Sequence, residues 1–257
     1  MRLSLLAPLD RLKAPAPDPA RVAWLSQWRY AHRGLHGPGF PENSPSAFGL
    51  ALEAGAGIEC DIQRSADGKA MVFHDWDLDR LTGEKGPLAS LRSQDLQRLT
   101  LTGSKDGIPT LEELLAQIDG KVPLLIEIKS KPKYRVAPTC LAVRRALEGY
   151  RGLHAVMSFD PRVSRWFATH SPQTVRGLVV TEEDDRALPG RWRRHRYLWH
   201  AKPDFLAYDI RDLPSSFAAS QRKRGLPVLT WTVRSAELAE RAAEHADAPI
   251  AEGAGLA

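Results

Sequence analysis

Two short runs hold the most concentrated chemistry in the chain. The first, Gly57-Ile58-Glu59-Cys60-Asp61-Ile62, carries two carboxylates at i and i+2. The second, Met71-Val72-Phe73-His74-Asp75, ends in a His-Asp pair. Successive side chains on a strand alternate faces, so Glu59 and Asp61 share one face and Cys60 takes the other. Two acids on one face of an apolar strand repel each other and are costly to desolvate. A divalent cation removes that cost, and carboxylate oxygens suit a hard cation. Glu127 and Lys129, in Leu124-Leu125-Ile126-Glu127-Ile128-Lys129, repeat the i, i+2 spacing further along. His32 closes another short run, Arg29-Tyr30-Ala31-His32.

Those residues need elements to hold them. Residues 8–20 contain four prolines and are expected to form an irregular arm, with a short helix at Arg21 to Gln27. Arg29 to His32 reads as the first strand, and Ser44 ends the loop that precedes a helix over Ala47 to Ala54. The runs at Ile58 and Met71 form a second strand region. Residues 77–110, rich in Gly and Pro around a small helix near Ser93 to Leu99, read as an insertion. Thr110-Leu111-Glu112-Glu113 is a capping box that opens a helix ending at Gly120. Strand and helix signals then alternate to a last short strand near Ile250 to Glu252, making eight repeats in all. Alternation on this scale predicts an α/β fold of the TIM (β/α)8 barrel type, with a small insertion after the second strand. The expected division is a 1–28 arm and a single 29–257 catalytic domain carrying the insertion at about 75–110.

In such a barrel, chemistry sits at the C-terminal ends of the strands. His32 is expected to end the first strand, Glu59 and Asp61 the second, His74 its companion, and Glu127 and Lys129 the third. The polar interruptions therefore fall where a barrel places its active site.

At this point the chain resembles the glycerophosphodiester phosphodiesterase family. The matching elements are Ala31-His32-Arg33-Gly34, Pro41-Glu42-Asn43-Ser44, Glu59-Cys60-Asp61, His74-Asp75 with Leu78 to Thr82, Ile108 to Leu114, Glu127-Ile128-Lys129 and Trp231-Thr232-Val233. They occur in the family's order. The resemblance implies hydrolysis of a small-molecule glycerophosphodiester to sn-glycerol 3-phosphate and an alcohol, with a bound Ca²⁺ or Mg²⁺. It implies that Glu59, Asp61 and Glu127 are metal ligands, and that His32 and His74 are the general acid/base pair. It places Arg33 and Lys129 against the phosphate; Trp231 reads first as a packed aromatic at the barrel mouth and second as a wall of the glycerol pocket. It leaves open whether water or the glycerol 2-hydroxyl attacks first. Near its end the chain departs from the family: Arg234 stands where an asparagine is usual, and Ala248 to Gly253 lacks the usual Thr-Asp. That departure bears on the leaving group.

Each residue alone also suits a plainer role. Glu59 and Asp61 fit a solvent-facing edge strand, and either histidine fits an ordinary hydrogen bond. Asp75 reads as an orienting residue and Glu42 as a brace for the first loop. The joint pattern is what favours an active site. The competing readings are a lysophospholipase D-like or phosphoinositide-cleaving phosphodiesterase and, from another class, a catalytically silent barrel that binds phosphodiesters.

Composition bounds the rest. The 257 residues carry a net charge of +5, which suits anionic ligands without indicating nucleic acid, and no nucleic-acid motif is present. Two cysteines, Cys60 and Cys140, make neither a zinc spacing nor a disulfide framework, so a cytoplasmic location is expected. Met1 to Ala7 is too soon followed by Pro8, Asp10 and Arg11 to read as a secretory signal. The segment 191–200, Arg-Trp-Arg-Arg-His-Arg-Tyr-Leu-Trp-His, reads first as a solvated basic helix face and second as a contact for an anionic membrane surface.

Overall fold

In a computed structural model, residues 6–183 and 188–256 are described. The strands are β1 (Tyr30–His32), β2 (Gly57–Arg64), β3 (Ala70–Val72), β4 (Leu124–Ile128), β5 (His154–Ser158), β6 (Val175–Val180), β7 (Phe205–Asp209), β8 (Val228–Val233) and β9 (Ala248–Ala251). They form one sheet in the order β1-β9-β8-β7-β6-β5-β4-β2-β3, with a further β1–β2 pairing. This is the order of an eight-stranded (β/α)8 barrel with β3 hydrogen-bonded to β2 as an added strand. Contacts divide the chain into two compact units, 31–154 and 1–30 with 155–257.

The unit 31–154 opens at the end of β1. Arg33 (φ 56°) and Gly34 (φ 79°) then turn the chain sharply. A Cβ at Gly34 would meet the Ala47 carbonyl at 2.9 Å, so only glycine fits between loop and helix. The helix Pro45–Glu53 follows, with Ser44 accepting from the Ala47 amide and Pro45 at its first position. Asn43 takes φ 58°, a left-handed conformation that asparagine tolerates.

β2 differs from its expected form. Glu59 and Asp61 do not end it; it runs on to Arg64, because Ile62, Gln63 and Arg64 pair antiparallel with Val72, Met71 and Ala70. The parallel pairing with β4 does stop close to them, at Ile62↔Ile128. His74 lies two residues beyond the end of β3. The insertion has its own small core, in which Leu78, Leu88, Leu96, Leu101 and Ile108 pack on Met71 and Phe73. It contains helices at Asp79–Thr82 and Ser93–Arg98. It returns to its starting point through the Val72 amide, which donates to the Pro109 carbonyl at 2.9 Å. The capping box at Thr110 is formed, with both reciprocal bonds to Glu113, and opens the helix Leu111–Ile118.

The other unit packs Leu178, Leu206, Tyr208, Val228 and Val233 of β6–β8 against Leu198, Phe217 and Leu226. Two expectations change here. The arm over 8–20 is not wholly irregular, because Ala7–Lys13 is a helix. Its Asp10 is fully buried and accepts hydrogen bonds from Trp199 Nε1 (2.8 Å) and Gln221 Nε2 (2.7 Å), and its carboxylate lies 2.8 Å from His195 Nδ1. Those long-range bonds order a proline-flanked segment that local propensity leaves open. The segment 191–200, within the helix Leu188–Ala201, is not a uniformly solvated basic face. Arg194 and His195 turn inward, and Arg194 pairs with Glu182 at 3.1 Å, while Trp192 and Tyr197 remain exposed. Among the described residues, no helix is long and apolar enough to cross a membrane.

Candidate active site

The three acids converge. Asp61 on β2 is the register partner of Glu127 on β4, and Glu59 stands two residues earlier on the same face of β2. Their carboxylate oxygens all lie within 4.8 Å of one another. Glu59 and Asp61 are each only 1% exposed. Glu59 Oε1 is a buried atom without a hydrogen-bond partner. Its other oxygen, Oε2, accepts from the Arg33 amide at 3.1 Å and lies 3.9 Å from His32 Nε2. Burial, then the Asp61 and Glu127 charges, push the Glu59 carboxyl well above the usual glutamate range. A buried carboxylate oxygen with an open lone pair, beside two further carboxylates, fits a hard divalent cation.

Asp61 is tuned the other way. Burial raises its pKa, but the cations Lys129 and Arg33, with smaller contributions from His74 and His32, bring it down to about 2. Lys129 Nζ lies 3.4 Å from Asp61 and 3.0 Å from Glu127. Arg33 Nε lies 3.1 Å from Asp61, and Arg33 Nη1 donates to Glu42 at 2.8 Å. Asn43 holds Asp61 from both ends: its amide nitrogen donates to the carboxylate at 3.0 Å, and its carbonyl accepts from the Asp61 backbone at 3.2 Å. Cys60, on the opposite face of β2, is fully buried and free.

His74 is held by two layers of contacts. Its Nδ1 lies 2.7 Å from Asp75 Oδ1. Arg80, from the first helix of the insertion, reaches Asp75 at 2.5 and 2.9 Å and Glu42 at 3.0 and 2.7 Å. The hydrogen bond from Arg80, then that with His74, hold the Asp75 carboxyl at about 2. Gln63, on the Glu59/Asp61 face of β2, donates to the carbonyls of Phe73, His74 and Asp75. The backbone that carries the imidazole is thereby tied to the strand that carries the acids.

Of the predicted residues, the structure brings His32, Arg33, Glu59, Asp61, Glu127 and Lys129 into direct contact, and it places His74 close enough to act on the Asp61 charge. Trp231 belongs to the other unit, where its indole donates to the Ala207 carbonyl at 2.9 Å and its ring meets Phe159 edge-on at 5.4 Å. Arg234 is paired with Glu252 at 2.8 Å. The sequence assigns no role to Asn43, Gln63 or Arg80, although Asn43 and Arg80 lie within the matched elements Pro41 to Ser44 and Leu78 to Thr82. Gln63 continues the alternation Glu59, Asp61, Gln63, so its face was readable. Arg80 carries no such signal, since its partners lie 5 and 38 residues away.

The sequence profile of the Glycerophosphoryl diester phosphodiesterase family matches residues 32–249. A Mycobacterium tuberculosis relative named "Probable glycerophosphodiester phosphodiesterase 2" is 36% identical over 78% of this chain and 71% of its own length. The Bacillus subtilis protein YhdW is 29% identical over 82% of this chain and 88% of its own length. Among solved structures, an Oleispira antarctica phosphodiesterase, captured with the product sn-glycerol-3-phosphate, superposes with a TM-score of 0.76. It is 25% identical and covers 87% of this chain and 92% of its own.

Proposed function

We propose that this chain, which belongs to the glycerophosphoryl diester phosphodiesterase family, hydrolyses glycerophosphodiesters to sn-glycerol 3-phosphate and an alcohol with a bound Ca²⁺ or Mg²⁺. The observation that carries the reading is the cluster of Glu59, Asp61 and Glu127 flanked by two histidines and two cations. The Oleispira antarctica phosphodiesterase holds sn-glycerol-3-phosphate, which supports the same product here.

The roles are those the family resemblance implies, and the contacts described above support them. Glu59, Asp61 and Glu127 hold the cation, which supplies charge neutralisation at the non-bridging phosphate oxygens. Arg33 and Lys129 face the same oxygens. His32 and His74 are the acid/base pair. One imidazole takes the proton from the attacking oxygen. The other gives a proton to the oxygen of the departing alcohol as its bond to phosphorus breaks. Asp75 engages Nδ1 of His74, which leaves Nε2 as the nitrogen for proton transfer in either role. The catalytic region is 29–257, with 1–28 as an arm. Cys60 and Cys140 are both buried and make neither a disulfide framework nor a zinc spacing, which supports a reducing, cytoplasmic setting.

The test is release of glycerol 3-phosphate from glycerophosphocholine and other deacylated phospholipids. Turnover abolished by EDTA and restored by Ca²⁺ or Mg²⁺ is expected. A metal-loaded preparation inert across the panel overturns the reading.

A second reading extends the same chemistry to a lipid surface. Trp192 and Tyr197, 52% and 42% exposed, share the outer face of the helix Leu188–Ala201 with Arg193 and Arg196. Such a face fits anionic lipid headgroups. Sedimentation with anionic vesicles, lost on replacing Arg193 and Arg196 by Ala, would support it; no co-sedimentation of the parent protein would remove it.

A further inference from the structure

The loop after β4 carries a run of positive charge. Lys129, Lys131, Lys133 and Arg135 fall within Lys129-Ser130-Lys131-Pro132-Lys133-Tyr134-Arg135, which contains no acid. Lys129 is engaged with Asp61 and Glu127. Lys131, two residues on, places its ammonium 4.0 Å from the centroid of the Trp76 ring. Trp76 in turn lies two residues beyond His74. Tyr134 completes the group, with its ring edge-on to Trp76 at 5.4 Å and the Lys131 ammonium 5.9 Å from its centroid. Tyr134 is 46% exposed, and Trp76 and Lys131 are partly exposed, so solvent reaches all three. One contact thus ties the loop carrying an acid/base histidine to the loop carrying a phosphate-facing lysine.

We propose that Lys131, Trp76 and Tyr134 form the leaving-group subsite, and that it selects diesters whose alcohol carries a further negative charge over those whose alcohol is cationic. The inference rests on the diesterase reading above and adds to it the class of head group. A tryptophan face attracts a cation through the ring quadrupole, and quaternary ammonium groups use such faces. Here the protein's own ammonium already covers that face. A choline-type head group must displace it and then meet the like charge of Lys131, on a loop that also carries Lys133 and Arg135. A second phosphate or a carboxylate on the alcohol meets the same ammonium as a partner instead. The cation–π contact with the Trp76 ring holds that ammonium in place.

The experiment compares kcat/KM for three substrates with the metal-loaded enzyme: bis(glycerophospho)glycerol, whose leaving group bears a second phosphate; glycerophosphoglycerol, whose leaving glycerol is uncharged; and glycerophosphocholine, whose leaving group is cationic. The parent enzyme is expected to favour the first over the last by about tenfold or more at low ionic strength, with the ratio shrinking as salt is raised. Lys131→Met keeps the stem and removes the charge, and should bring the ratio down by about tenfold; Lys131→Glu should invert it. The ratio does not depend on the fraction of folded enzyme, so a poorly folding variant still reports. Equal ratios in parent, Met and Glu forms, in an enzyme active on these diesters, overturn the subsite alone. No turnover of any of the three by the parent overturns the diesterase reading and the subsite with it.

Discussion

Asp61 lies directly opposite Glu127 across β2 and β4, and the Lys129 ammonium bridges them at 3.4 and 3.0 Å. One side of the carboxylate cluster is therefore neutralised by the protein itself. Glu59, on the other side, has a buried oxygen without a hydrogen-bond partner. That asymmetry indicates where a cation adds most.

Removing the Glu59 charge should stabilise the metal-free protein and remove its response to metal. The parent should gain about 2.7 kcal/mol at a cation concentration one hundred times Kd. Glu59→Gln should show a higher unfolding temperature than the parent in EDTA and little further rise in Ca²⁺ or Mg²⁺. An equal metal-induced rise in both proteins, read by thermal unfolding, would mean that Glu59 does not hold the ion.

Acid should act on the metal-free protein through Asp61 and Asp75. Both carboxyls sit at about 2 in the folded state, against an ordinary aspartate value of 3.8. The unfolded chain thus binds more protons in that window, and stability rises with pH there. Their contribution is complete above about pH 4 and is lost as pH falls toward about 2. Asp75→Asn should lose less stability across that interval than the parent, measured as the urea midpoint against pH. Glu59 has the opposite sign. Its raised carboxyl favours the folded state below the ordinary value of 4.5, and that contribution fades as pH climbs through the raised value.

Arg80 and Asp75 should act on His74 rather than on binding. Asp75→Asn should lower kcat by at least about tenfold with little change in KM, because the imidazole loses the carboxylate that orients it. Arg80→Ala should do the same more weakly and move one limb of the pH–rate profile, while Arg80→Lys should restore part of the rate. A loss confined to KM, with the profile unmoved, would show that the pair does not position the histidine.

Asp10 is a stability residue. Its carboxylate serves His195, Trp199 and Gln221 from a fully buried position. Asp10→Ala removes the acceptor of Trp199 Nε1 and Gln221 Nε2 and should cost about 2 kcal/mol in urea unfolding. Arg196→Ala, on the exposed face of the same helix as His195, should change stability by less than about 0.5 kcal/mol. Equal effects would mean that the arm helix is not held by this carboxylate.

Much of this was legible in the chain itself. Strand and helix rhythm follow from side-chain periodicity, so the barrel, the insertion and the capping box at Thr110 could be read locally. The acids could be read as well, because i, i+2 spacing places Glu59 with Asp61 and Glu127 with Lys129 whatever the strand packs against. The arm helix could not, since only Asp10's partners nearly two hundred residues away hold it. Nor could the pairing of Asp61 with Glu127, the grip of Asn43 on Asp61, the Arg80 bridge between Asp75 and Glu42, or Lys131 over Trp76. Periodicity records which face a residue takes, and composition records its charge. Neither records which loops meet, because a contact between segments far apart in the chain depends on sheet register and loop path, and those exist only once the chain has folded.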